Sequence, residues 1–278
     1  MPIDPTKVGA EGKPVLREWT FRQPMLYALG VGAGLDELEF STNRRQRVLP
    51  SFAVIMGGGG VPMGEIGTFN PVMLVHGEQA FEVFGEIPTD GKIRSQGRIV
   101  GIYDKGSGAA VETESESRDA ETGELRFRTR STVFLRGEGG FGGDRGPSGP
   151  KNVPPDREPD LVRTYATRDD QALLYRLSGD LNPLHSDPDF AKAAGFPRPI
   201  LHGLCTYGFT GRALLHDLCG SDPARFRSME GRFARPVFPG QALTVQMWHE
   251  GEGTAIFQTL NDAGDVVISQ GRATFVAE

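Results

Sequence analysis

Residues 178 to 185 read SGDLNPLH, placing a carboxylate at Asp180, an amide at Asn182 and an imidazole at His185. An acid beside an imidazole provides one group that can hold a proton at neutral pH and one that can accept it, which is what general acid–base chemistry needs. Gly179 and Pro183 break regular structure, and Asn182, preceding a proline, avoids the helical region. The three side chains can therefore converge on one point from a single bent loop. The same spacing also fits a plain turn, with Asp180 capping, Asn182 satisfying a backbone group and His185 hydrogen-bonded in the core. A second feature is the His202-Gly203 step. The first N–H groups of a helix have no internal partner and carry partial positive charge, so the Gly203 N–H would suit an oxyanion. A glycine needed only for helix–sheet packing fits that position equally well.

The stretch PILHGLCTYGFTGRALLHDL (199–218) is expected to be the helix behind that step. It follows a proline, carries apolar residues at Leu201, Leu204, Tyr207, Leu214, Leu215 and Leu218, and stops at Gly220. The segment SDPDFAKAAG reads as a short capped helix that anchors the loop from one side. An earlier stretch, PVMLVHGEQAFEVFGEIP (71–88), also follows a proline, repeats the His-Gly dipeptide at His76-Gly77, and ends at Gly85 and Pro88. It reads as a counterpart helix. Alternating, strand-like runs follow each stretch, clearest in TVQMW, with turns at Pro239-Gly240, NDAGD and DAETGE. Between Arg136 and Asp160 glycine and proline dominate, which marks a linker or long surface connection. The expected organisation is an N-terminal unit over 1–136, a linker over 137–159 and a C-terminal unit over 160–278. The expected class is α+β, one long helix against a curled antiparallel sheet, twice.

Other chemistries find less support. The glycine runs GVGAG (30–34) and GGGG (57–60) complete neither the dinucleotide nor the P-loop pattern and read as turns or close backbone packing. No HxxxH or HExxH spacing joins the five histidines, so no metal is expected; His216 and His249 are given structural roles, His216 complementing its helix C-terminus. Cys205 and Cys219 fit reduced, buried thiols. Hydrophobic residues make up 38% and charged residues 24% of the 278, as in an ordinary globular protein. A net charge of −6 argues against nonspecific nucleic-acid binding. The opening MPIDPTKVGAEGKP lacks an apolar targeting core and no apolar run of about 18 residues occurs. A cytoplasmic location with no membrane partner is the expectation.

The pattern Y-x-L-S-G-D-x-N-P-L-H from Tyr175 to His185 resembles the motif of MaoC-like (R)-specific 2-enoyl-CoA hydratases, and the likeness extends over nearly the whole chain to their two-part, eukaryotic-type form. The resemblance implies a double hot-dog fold, an acyl-CoA substrate, no cofactor and a homodimer. It implies that Asp180 and His185 form the catalytic pair, that Asn182 positions the water or the pair, and that the Gly203 N–H binds the thioester carbonyl. His76, Gly77, Lys105 and Phe233, with Leu181, Pro183 and Leu184 of the motif, are the implied substrate-binding residues. In the first half LYALGVG stands in register with LYRLSGD but lacks the acid. That half is read as having given up catalysis, its space taking the acyl tail, with FAVIM (52–56) suiting either a tunnel wall or a buried strand. A hot-dog acyl-CoA thioesterase and a non-catalytic acyl-CoA-binding partner subunit are the rival expectations.

Overall fold

The computed structural model describes residues 3–277. In the first half β1 (Val15–Trp19) is followed by α1 (Arg22–Gly30) and the single-turn helices α2 (Leu38–Ser41) and α3 (Ala53–Met56), then by the strands β2 (Leu74–Val83), β3 (Gly91–Asp104), β4 (Gly108–Asp119) and β5 (Leu125–Arg136). The second half runs β6 (Leu161–Ala166), α4 (Gln171–Tyr175), α5 (Pro188–Ala193), α6 (Gly203–Cys219), then β7 (Phe226–Phe233), β8 (Ala242–His249), β9 (Thr254–Asn261) and β10 (Val266–Phe275). All ten strands join one antiparallel sheet in the order β1-β3-β4-β5-β2-β7-β10-β9-β8-β6. The halves meet where β2 pairs β7, with Gln79 opposite Gly231 and Phe81 opposite Met229. Residues 137–160 carry no helix or strand. They are nevertheless fastened down, since Asp104 accepts the N–H groups of Gly140 and Gly142 and Asn152 bonds Glu230 and the Gln270 carbonyl.

The long helix forms as expected. α6 begins at Gly203 and closes on Gly220 in the left-handed conformation, φ 59°. It is buried nearly all round, and the inward residues Val245 and Met247 of β8 and Ala255 and Phe257 of β9 belong to the same core. Each large apolar side chain fully buried there contributes about 1.5–3 kcal/mol. Both cysteines are free and buried.

The counterpart helix over 71–88 is not formed; that stretch is strand β2 after a short turn at Pro71–Met73. The reason lies in its period: Gln79, Phe81 and Val83 are buried while Ala80 and Glu82 between them are not, an alternation that only a strand places on one face. Pro71 and Gly85 bound a strand as readily as a helix. What stands in α6's place in the first half is the short turn Pro50–Phe52 leading into α3. FAVIM is therefore helical rather than extended, and it leaves much of the first half's inner sheet face without a covering helix.

The two halves are fastened through a buried ion cluster. Arg212 of α6 donates to both oxygens of Glu37 at 2.7–3.1 Å and to the Val31 carbonyl at 2.7 Å, while its guanidinium lies over the Tyr165 ring. His216 closes the cluster on Glu37 through Nε2 and on Ser221 through Nδ1. His216 thus serves a cross-half ion cluster, beyond the helix-end role expected of it. Burial raises the Glu37 pKa, but the hydrogen bonds of His216 and Arg212 outweigh it and hold the carboxyl below its ordinary value.

Candidate active site

The loop owes its shape to local chain chemistry. After α4 a single 3-10 turn, Arg176–Ser178, stops at Gly179, whose φ of 124° is open to glycine and strained for other residues. Asp180 Oδ1 accepts the Asn182 N–H at 3.1 Å, and Asn182 Oδ1 accepts the Leu184 N–H at 3.0 Å, capping the turn Pro183–His185. Asp187 caps α5 through the N–H groups of Asp189 and Phe190. His185 is thereby turned inward and buried, while Asp180 stays exposed. Its Nδ1–H donates to the Ile200 carbonyl at 2.9 Å, which leaves the lone pair on Nε2. Burial holds the His185 pKa below its ordinary 6.5, against the opposing pull of the Ile200 carbonyl and Asp180. The ring is neutral at pH 7 and its Nε2 is a proton acceptor.

A third side chain joins the pair. His202, the residue before α6, stacks on His185 with ring centroids 3.8 Å apart and planes 27° apart, and its Nε2–H donates to the Asp180 carbonyl at 3.1 Å. The Tyr175 ring also packs against it, with centroids 4.9 Å apart. It is 1% exposed, and burial together with the neighbouring His185 pushes its pKa down to about 4. His202 therefore ties the loop to the helix while remaining uncharged. Its adjacency to Gly203 was the only trace of this in the sequence.

Gly203 is the first residue of α6, and its N–H donates to nothing among the described residues. A Cβ here would lie 3.3–3.6 Å from the Phe233 ring, so Phe233 lies close against this end of the helix. Phe233 in turn meets the His76 ring edge to face at 4.9 Å. His76 comes from β2, across the seam, with Nε2 2.9 Å from Ser131 Oγ and 3.2 Å from the Glu78 carbonyl. Burial takes its pKa to about 4. Since β2 is a strand, His76-Gly77 is not a second helix start; Gly77 sits at a bulge between His76 and Glu78, facing the Thr132 carbonyl.

One carboxylate oxygen of Asp180 and one ring nitrogen each of His185 and His202 lie within 4.8 Å of one another, a donor set in type suited to a divalent metal. The geometry suits it poorly. A ligand lone pair lies in its ring plane, and two nearly parallel rings stacked 3.8 Å apart cannot both aim at one ion about 2.1 Å from each nitrogen. The trio is read as an acid with two imidazoles, and no metal is assigned to it.

Of two cavities, one opens at this region and the other lies on the opposite face of the sheet, lined by the alternate residues of β4 and β5. One, of about 570 Å³, opens beside Ser178, Gly179 and Asp180 and runs into the first half between Val54, Ile55 and the inner faces of β4 and β5. The other, of about 530 Å³, is a groove lined by Gly77, Lys105, Lys151 and Arg232. It brings together Gly77 and Lys105, two of the residues that the resemblance implies contact substrate. Lys105 Nζ is partly engaged, donating to the carbonyls of Arg145 and Pro147 in the connecting segment. Arg232, which sequence reasoning did not single out, is exposed and makes no ion pair among the described residues. Leu181 and Pro183 are exposed and Leu184 half-buried, and none of the three lines either cavity.

A sheet curled around one long helix, with an acid–imidazole loop set against that helix's first turn, defines a double hot-dog fold. Residues 18–137 match the MFE-2 hydratase 2 N-terminal domain family and residues 151–270 the MaoC like domain family. The chain is 46% identical to 3-hydroxyacyl-thioester dehydratase Y of Mycobacterium tuberculosis over the full length of both proteins. It is 43% identical to the peroxisomal enoyl-CoA hydratase 2 of Arabidopsis thaliana, over 86% of this chain and 84% of that one. The crystal structure of a MaoC-like dehydratase from Phytophthora Capsici superposes with a TM-score of 0.90 at 32% identity, covering 99% of each chain. The chain belongs to the MaoC-like enoyl-CoA hydratase 2 family.

Proposed function

We propose that the protein is an (R)-specific enoyl-CoA hydratase that adds water reversibly across the trans-2,3 double bond of a 2-enoyl-CoA, giving the (R)-3-hydroxyacyl-CoA. The observation that carries this reading is the neutral, buried His185, its Nε2 lone pair free, in a cluster with the Asp180 carboxylate that includes the residue leading into a helix whose first N–H is unpaired. The thioester carbonyl accepts the Gly203 N–H, which stabilises the enolate-like charge as the water oxygen bonds to C3. His185 Nε2 takes the proton released by that water. The imidazolium so formed, stabilised by Asp180, returns a proton to C2 on the same face, so atoms and charge balance without any cofactor. Asn182 holds the loop that presents the pair, and His202 fixes the backbone at Asp180.

The CoA moiety is anionic, and the groove at Gly77 with Lys105 and Arg232 supplies cations for its phosphates. His76 and Phe233 flank the thioester, and the first-half cavity takes the acyl group. The exposed Leu181 and Pro183 and the half-buried Leu184 belong to the loop rim, where they meet the pantetheine end. The first half contributes no acid–imidazole pair of its own, so each chain has one active site. No helix among the described residues is long and apolar enough to cross a membrane. A homodimer and a cytoplasmic location are part of the same proposal. The test is to follow the ultraviolet absorbance of crotonyl-CoA and decenoyl-CoA together with a thiol reagent. Loss of absorbance without thiol release is expected; thiol release at a matching rate would make the protein a thioesterase instead.

A further inference from the structure

The two halves present different inner faces to what they enclose. In the second half β8 and β9 turn Leu243, Val245, Met247, Ala255 and Phe257 inward, where α6 packs. In the first half, where only α3 stands in that place, the corresponding face is rich in hydroxyls. Thr113 on β4 pairs across the ladder with Ser131 on β5, and Ser115 with Thr129; Gln79 on β2 lies opposite Ser131. Ser95 and Ser117 extend the patch, joined through their hydroxyls at 2.7 Å. Thr113, Ser115, Thr129, Ser131 and Gln79 all line the cavity that opens at Asp180, facing Val54, Ile55 and Leu204.

The side chains are only partly occupied with one another. Ser115 Oγ donates to the Gly59 carbonyl at 3.0 Å, Thr113 Oγ1 to the Ser131 carbonyl at 3.2 Å, and Ser131 Oγ meets His76. The Thr129 hydroxyl has no hydrogen-bond partner among the described residues. Donating hydroxyls retain lone pairs, so the patch offers one free donor and several acceptors. A cavity of about 570 Å³ walled in this way is hydrated when empty. A plain alkyl tail would displace that water and leave the Thr129 hydroxyl unpaired, whereas a tail carrying its own oxygen would replace it.

Resting on the hydratase reading above, we infer that the preferred acyl group is oxygenated: a 2-enoyl-CoA whose tail, beyond the conjugated thioester, bears a hydroxyl or keto group that bonds Thr129 and its neighbours. A saturated hydrocarbon tail is the poorer substrate. The apolar wall of Val54, Ile55 and Leu204 packs the carbon skeleton, and the hydroxyl wall selects for the oxygen.

The test compares kcat/KM for unsubstituted 2-decenoyl-CoA with a series of the same length bearing one hydroxyl or keto group at successive tail carbons. Dissociation constants of the matching saturated thioesters are measured by calorimetry in parallel. At least one oxygenated member is expected to exceed the plain chain by roughly tenfold or more in both measurements, the scale of one stranded hydrogen-bonding group. Thr129→Val, which keeps the shape and removes the hydroxyl, is expected to shrink that ratio several-fold, mainly through KM. A plain chain equal to or better than every oxygenated one, or an unchanged ratio in Thr129→Val, would overturn the inference. Absence of hydration for every thioester, crotonyl-CoA included, would sink the hydratase reading instead, and the binding ratios would still decide this one.

Discussion

Gly203→Pro removes the proposed oxyanion donor, putting the ring Cδ where the N–H hydrogen was. Backbone donors are ordinarily beyond the reach of mutagenesis, but Gly203 is the first residue of α6, where proline is tolerated because its nitrogen has no intrahelical bond to lose. The preceding residue, His202, already has φ −58° and ψ 135°, the extended region that a residue before proline favours. The substitution thus removes the N–H while leaving the helix start and the His202 stack in place. It also adds a Cβ, which at this position meets Phe233 carbons at 3.3–3.6 Å, so the ring must give by a few tenths of an ångström. Gly203→Ala carries the same Cβ and keeps the N–H, and is the proper reference. Losing one oxyanion donor costs about 2.7–4 kcal/mol of transition-state stabilisation, or about 10²–10³ in kcat. Crotonyl-CoA hydration by the proline variant should therefore fall by that factor below the alanine variant, with both showing wild-type circular dichroism and unfolding midpoints within a few degrees. A proline variant within threefold or so of the alanine variant would show that the Gly203 N–H does not hold the carbonyl.

Further outcomes follow from the same geometry. Hydration needs His185 neutral, and burial lowers its pKa in the free enzyme, so the acid limb of kcat/KM should be centred below 6.5; an acid limb centred above 6.5 would contradict the assignment. His202, 1% exposed with a pKa of about 4 against an ordinary 6.5, binds its proton more readily in the unfolded chain. Its contribution to stability is thus whole above 6.5 and is lost as pH falls toward 4, at up to about 1.4 kcal/mol per pH unit, measurable by urea unfolding. Glu37→Gln leaves Arg212 buried without its counter-charge and should lower unfolding free energy by about 3–5 kcal/mol; a loss under 1 kcal/mol would mean the cross-half cluster is incidental.

The parts of this arrangement that were legible in the sequence are those whose signals are local. Gly179 and Pro183 mark the broken loop, Asp187-Pro188 caps α5, and the proline before and Gly220 after α6 bound it, so its position beside the loop could be inferred. The stretch around His76 misled because Pro71, Gly85 and the repeated His-Gly are compatible with either element. Only the burial of Gln79, Phe81 and Val83 on one face decides for a strand, and that alternation is too short to stand out beside the stronger end signals. His202 and Arg232 could not be read from spacing, because their roles depend on partners brought together by the fold: His185 and the Asp180 carbonyl for one, the groove across the β2–β7 seam for the other. For Asn182 the structure shows the plainer of the two readings, since its Oδ1 caps the turn carrying His185.

The central claim is that Asp180 and His185 together perform the hydration, and it is tested most directly by Asp180→Asn and His185→Gln. Asparagine keeps the Oδ1 that accepts the Asn182 N–H, so the loop is retained while the charge is removed. Steady-state hydration of crotonyl-CoA and decenoyl-CoA should drop by at least about 10²-fold in each variant, as loss of a positioned acid–base group requires, with the fold intact by circular dichroism. Near-wild-type turnover by either variant would contradict the claim.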